Sequence, residues 1–233
     1  MRKIKAVWHV FVIMAAFTPE AAHGEKFVFG FAANDLNGLA SKSLTNGEFT
    51  MQVSAGPAGG LLYESNGAPG LGIGTSGVIV TDGEHTVFDM GSTGAAEFIQ
   101  FSFDRPGVLT GLDFDGVKDE NYEYFLLQTA TSPDLYFFDS FENSTANPGL
   151  INVPGQVIFL QEFHGPDDAV TDLGISFAAG QPFKLTYGQL NVGLTGNGAR
   201  LQSISVGIVP EPSTPVLTML ATIAVLSLRR RER

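Results

Sequence analysis

Cysteine is absent from the 233-residue chain. That excludes thiol nucleophiles, thiol redox chemistry, iron–sulfur ligation, thiolate zinc sites and a lipid anchor on an acylated cysteine. Tryptophan occurs once, at Trp8, so an aromatic platform for a sugar elsewhere in the chain must come from tyrosine or phenylalanine. Histidine is nearly as scarce. Beyond the first 24 residues only His85 and His164 remain, neither stands in an HExxH pattern, and no GxSxG elbow occurs. The sequence therefore gives no ground for zinc-hydrolase or Ser-His-Asp chemistry. Positive charge is short in the body and gathered at the ends. Residues 25–228 hold six Lys/Arg against 22 Asp/Glu, a balance near -16, although the whole chain stands at -11. A phosphate backbone is repelled by such a surface, so no nucleic-acid partner is expected.

The first 24 residues form a segment of their own. Arg2, Lys3 and Lys5 precede an apolar run from Ala6 to Phe17, followed by a polar stretch with Pro19 and small residues. That order is the pattern of a secretory signal peptide and implies the general secretion machinery. Ala22 and Gly24 occupy the small-residue positions before a cut ahead of Glu25. An uncleaved N-terminal anchor is the alternative.

Residues 25–208 carry no run with the length and period of a long helix. Eleven short apolar or alternating stretches recur instead, separated by Gly, Pro, Asn and Asp: EKFVFGF, EFTMQVS, GVIVT, HTVFDM, EFIQFSFD, GVLTGLDF, YEYFLLQT, QVIFLQEF, LGISFAA, PFKLTYG and ARLQSISVGI. In EFIQFSFD, Ile99, Phe101 and Phe103 point one way and Gln100, Ser102 and Asp104 the other. Val108, Leu112 and Phe114 are expected to share a face, as are Ile204, Val206 and Ile208 opposite Ser203 and Ser205. Asn46-Gly47 and Asp82-Gly83 are turn dipeptides, and Asp104-Arg105-Pro106-Gly107 reads as a hairpin. Residues 55–74 read as a long loop or lid. The expected fold is all-β: a single antiparallel, jelly-roll-like β-sandwich.

Within this body the acids of Leu112-Asp113-Phe114-Asp115-Gly116-Val117-Lys118-Asp119-Glu120 draw attention. A strand-end loop with Asp113, Asp115, Asp119 and Glu120 offers oxygen ligands for calcium, though without the EF-hand spacing. The bland reading is a solvated acidic edge. His164-Gly165-Pro166-Asp167-Asp168 is a second acidic turn. Tyr122 and Tyr124 share one strand face, with Phe125 on the other. They form either a small exposed strip for carbohydrate or a stacked pair supporting the sheet. A carboxylate pair of glycosidase type depends on spatial pairing, which sequence leaves open.

The last twenty-five residues, 209–233, have an order of parts that no core requires. Val209-Pro210-Glu211-Pro212-Ser213 is extended, because Pro210 and Pro212 cannot sit inside a regular helix. An apolar run from Val216 to Leu228 follows, then Arg229, Arg230, Arg231 and Arg233. The run spans about 20 Å as a helix, short of a hydrocarbon core of about 30 Å. Counting from Ser213 and letting the arginines snorkel makes a transient inner-membrane hold plausible. The arginines serve as stop and inside marker. This tail resembles the PEP-CTERM sorting domain of Gram-negative bacteria. The body stretches GLGIGTSG, EFIQFSFDRPGVLTGLDFDG and ISFAAGQPFKLTYG are similar in pattern to the β-rich bodies of such proteins.

The resemblance implies three regions: a signal peptide over 1–24, a β-sandwich body over 25–208 and a sorting tail over 209–233. It also implies processing near Pro-Glu-Pro by a membrane-embedded exosortase-type enzyme, after export and brief anchoring. Delivery to the cell surface or a biofilm's extracellular polysaccharide matrix would follow. The chain is then expected to be a non-enzymatic surface or matrix protein without an obligatory cofactor. The alternative is a secreted carbohydrate-binding module or polysaccharide-active enzyme bearing the same tail.

Overall fold

The computed structural model describes residues 25–31, 35–56, 58–64, 70–75, 97–117, 123–130, 132–139, 151–162, 167–190 and 199–208. The expected signal peptide and sorting tail lie outside the described residues, as do GVIVT and HTVFDM. Among those described there is no helix. Fourteen strands follow in chain order: β1 (Lys26–Gly30), β2 (Ser41–Asn46), β3 (Phe49–Gly56), β4 (Gly60–Glu64), β5 (Leu71–Thr75), β6 (Phe98–Phe103), β7 (Gly107–Asp115), β8 (Glu123–Thr129), β9 (Leu135–Phe138), β10 (Gln156–Phe159), β11 (Gln161–Glu162), β12 (Asp167–Phe177), β13 (Phe183–Gln189) and β14 (Arg200–Gly207).

They form two sheets of seven strands. The first runs β11-β12-β7-β14, and the far edge of β14 is then shared by β1 and by the β5-β4 pair. The second runs β10-β9-β8-β13-β6-β3-β2. Among the described strands all pairings are antiparallel except β10 with β9, which is parallel and departs from the expected antiparallel sandwich.

Alternation explains why the sheets pack face to face. Ile99, Phe101 and Phe103 of β6 are buried to 1% exposure or less, whereas Gln100 is exposed. Rings meet across the layer: Phe27 with Phe49 at 5.4 Å, Phe29 with Phe103 at 5.8 Å, Phe103 with Phe177 at 4.9 Å, and Phe114 stacked on Phe125 at 4.4 Å. Each fully buried phenylalanine contributes about 1.5–3 kcal/mol by area, and a well-oriented ring pair about 0.5–1.5 kcal/mol beyond it. This aromatic core holds a chain that has no disulfide to cross-link it.

Several local expectations change. Asp104-Arg105-Pro106-Gly107 links β6 in the second sheet to β7 in the first, so it is a crossing between layers and not a hairpin. Asn46-Gly47 does close a hairpin, β2 to β3, with Asn46 opposite Phe49 and Gly47 at φ 55°. A Cβ at Gly47 would stand 2.0 Å from the Phe27 ring, so this turn needs glycine on both counts. The described part of 55–74 is not loop: it carries the end of β3, all of β4 and most of β5, with Leu62 and Leu71 in the core. In β7 a register shift opposite Ser205/Val206 turns Leu109 inward in place of Val108, while Leu112 and Phe114 point inward as expected. The extra residue of a bulge reverses the facing of everything before it.

Candidate functional site

The acids singled out in the sequence sit on β7, a central strand of the first sheet flanked by β12 and β14. Leu112 and Phe114 enter the core, so Asp113 and Asp115 emerge together on the outer face. Asp115 is opposite Arg200 of β14, and its Oδ2 accepts a hydrogen bond from the Arg200 guanidinium at 2.8 Å. Their side chains are 9% and 24% exposed, so the pair is largely out of water. A cation at Asp115 would have to compete with that guanidinium. Asp119, Glu120 and Tyr122 lie outside the described residues. Among the described residues no three His, Cys, Asp or Glu side chains come together as a metal set.

Beside Asp113 the outer face sinks into a depression of about 230 Å³. Register explains it. One row across the sheet reads Val28, Ser205, Gly111, Thr171, and the next reads Gly30, Ser203, Asp113, Ala169. The middle of both rows is small, so the floor is low. Val28 and Lys26 of β1 stand on one side and Thr171 of β12 on the other. Four kinds of group therefore converge: hydroxyls, one carboxylate, one ammonium and small apolar surface. Ser203 and Ser205 are visible in the sequence as the polar positions alternating with Ile204 and Val206. Arg200, Lys26 and Ala169 carry no such signal, because their roles arise from pairing between distant strands.

Tyr124 lies on the outer face of the second sheet, over Gly188 of β13, where a Cβ would come within 2.5 Å of its ring. It meets Tyr136 at 5.3 Å and Phe138 at 5.4 Å across β8 and β9. Tyr136 and Phe138 are only 6% and 3% exposed, so Tyr124 belongs to a packed aromatic cluster and not to a free strip. Burial raises the Tyr124 phenol above its ordinary pKa, and the neighbouring Tyr136 adds to the effect. Burial raises Tyr136 also, helped by the charge of Asp134.

A second cavity, of about 450 Å³, opens between the sheets at β9, β10 and the bulged part of β12. Leu135, Ile158, Leu173 and Ile175 line it with neutral polar groups from Ser132, Gln156 and Ser176. It has no titratable side chain for acid–base work. In comparison with known proteins, no family model, no curated protein and no solved structure matches this chain.

Proposed function

We propose that the chain is an exported, non-enzymatic protein of the cell surface or extracellular matrix, sorted and processed through its PEP-CTERM-like tail. The observation that carries this reading is the order of parts from residue 209 onward, together with a signal-like first 24 residues. The body is compatible with such a life. Its core is aromatic and independent of cysteine. Its described strands lie between the two terminal segments, the first beginning at Lys26 and the last ending at Gly207. Eight of them also support a jelly-roll architecture. β1-β14-β7-β12 in one layer and β6-β13-β8-β9 in the other follow the order of two interlocked Greek keys.

A second reading, a carbohydrate-binding module with the same address, is favoured by the hydroxyl- and carboxylate-lined depression at Asp113. A polysaccharide-active enzyme finds less support. Asp113 and Asp115 run along one strand, with Asp115 engaged by Arg200, whereas a glycosidase pair faces across a cleft. Calcium at Asp113, Asp115, Asp119 and Glu120 belongs to the same second reading.

The sorting reading is tested by replacing Pro210, Glu211 and Pro212 with alanine. The apolar run and arginines stay intact, so the variant is expected to be exported but retained at near full length in the inner membrane. Fractionation and intact-mass measurement read the outcome. Trimming and delivery identical to the parent would reduce Pro-Glu-Pro to a linker.

A further inference from the structure

We infer that the depression on the outer face of the first sheet binds one unit of a neutral saccharide, with Asp113, Ser203 and Ser205 as its hydrogen-bonding floor. The inference rests on the carbohydrate reading of the body and gives it a place and a ligand class.

Shape is the first ground. Most of a sheet's outer face is raised by its own side chains, but here Gly111, Ala169, Ser203 and Ser205 occupy adjacent positions on three neighbouring strands. The resulting space of about 230 Å³ has room for one sugar ring and not for an extended aromatic ligand. The floor is rigid. β7 is paired on both sides, and the Asp115–Arg200 contact ties it to β14 two residues beyond Asp113. Groups carried on paired strands are held more closely than groups on loops.

Chemistry is the second ground. A sugar hydroxyl both donates and accepts, and so do Ser203, Ser205 and Thr171. A carboxyl group has several acceptor positions on its two oxygens, so Asp113 can serve a ligand beside its own neighbours. Lys26 supplies donors from the opposite wall. The C–H face of a ring needs apolar surface, which Val28, 45% exposed, and Ala169 provide.

Charge decides between glycan classes. Residues 25–228 stand near -16, and the depression itself contains a carboxylate. Uronates and sulfated sugars are repelled by that field, so the ligand is uncharged. Tyr124 and its ring neighbours take no part: they lie on the other sheet's outer face.

The experiment uses affinity electrophoresis of the full chain in gels containing dextran, mannan or galactan, with alginate and hyaluronate as anionic counterparts. Retardation is expected in at least one neutral gel and in neither anionic one. Asp113→Asn should weaken it at least tenfold, and Ala169→Leu, which fills the depression, should abolish it. Gln52→Ala on the second sheet should leave it unchanged. Melting curves check that each variant is folded, and Ser203→Ala replaces Ala169→Leu should the latter unfold. Neutral-glycan binding that survives Asp113→Asn and the filling or Ser203 variant overturns this site but leaves the carbohydrate reading standing. No retardation in any neutral gel removes both.

Discussion

Tyr124 and Tyr136 show how a local contact becomes a property of the whole protein. Both phenols sit where burial disfavours the phenolate, and each has a neighbour that raises its pKa further, Tyr136 for the one and Asp134 for the other. The unfolded chain ionises these groups near the ordinary value of about 10, while the folded chain keeps its protons to higher pH. Ionisation therefore favours unfolding. The contribution is fully present below about pH 10 and is lost as pH rises through the raised folded values. Tyr124→Phe should flatten the decline in stability above about pH 10, read from denaturant melts at each pH. A parent-like decline would remove Tyr124 from the explanation. That Tyr124 and Phe125 face opposite ways was legible in the sequence, since strand alternation requires it. That Tyr124 packs against Tyr136 and Phe138 was not, because the next strand, β9, is too short to show a period from which its register with β8 could be read.

Two ion pairs show how an element's setting fixes the worth of a contact. Arg105 and Glu48 join exposed turns, with 43% and 56% of their side chains in water. Arg200 and Asp115 join the start of β14 to the end of β7, mostly out of water. Removing one partner of an exposed pair costs about 0–1 kcal/mol, whereas leaving a buried charge uncompensated costs about 3–5 kcal/mol. Arg200→Met is expected to destabilise by about 3 kcal/mol and Arg105→Met by under about 1 kcal/mol in urea melts. Similar values for the two would mean that water reaches Asp115 freely. The strands themselves were unevenly legible. β1, β3, β6, β8, β13 and β14 announce themselves by alternation. β2 (SKSLTN) has one apolar residue and is a strand because β3 pairs with it. β4 and β5 lie among glycines that read as loop, and the four-residue β9 is too short to show a period. Asp115 finds Arg200 85 positions away, a distance over which no local pattern carries information.

At the scale of the molecule, the chain's route gives the expected signal-peptide cut a structural boundary. Phe27 and Phe29 of β1 are core residues, 6% and 4% exposed. A cut before Glu25 leaves β1 whole, whereas a cut beyond Phe27 removes a ring that packs on Phe49. N-terminal sequencing of exported protein should return Glu25. Met1 or Arg2 would mean an anchor in place of a cleaved leader. The all-β class was legible, because the apolar period and the turn residues agree over most of the described strands. The layer assignment of each strand was not, since Asp104-Arg105-Pro106-Gly107 reads the same whether it reverses within a sheet or crosses between sheets.

The pairing of Lys26 with Gly207 has a mechanical consequence. The two strands are antiparallel neighbours, so the chain enters and leaves the body at one end. β7 runs from that end to the other, carrying Asp113 and Asp115 away from it. Eight residues of β14 lift Arg200 about 25 Å from the point of exit. Tension between the two ends would load the β1–β14 ladder one rung at a time, as a zipper opens, and not all rungs together in shear. A body freed at its N-terminus and held only through residue 208 escapes that load. Its pull enters through β14, a strand paired along both edges, with β7 on one side and β1 and β5 on the other. Load taken up through residue 208 alone would thus be resisted by ladders on both edges of β14, whereas load between the two ends peels β1 away.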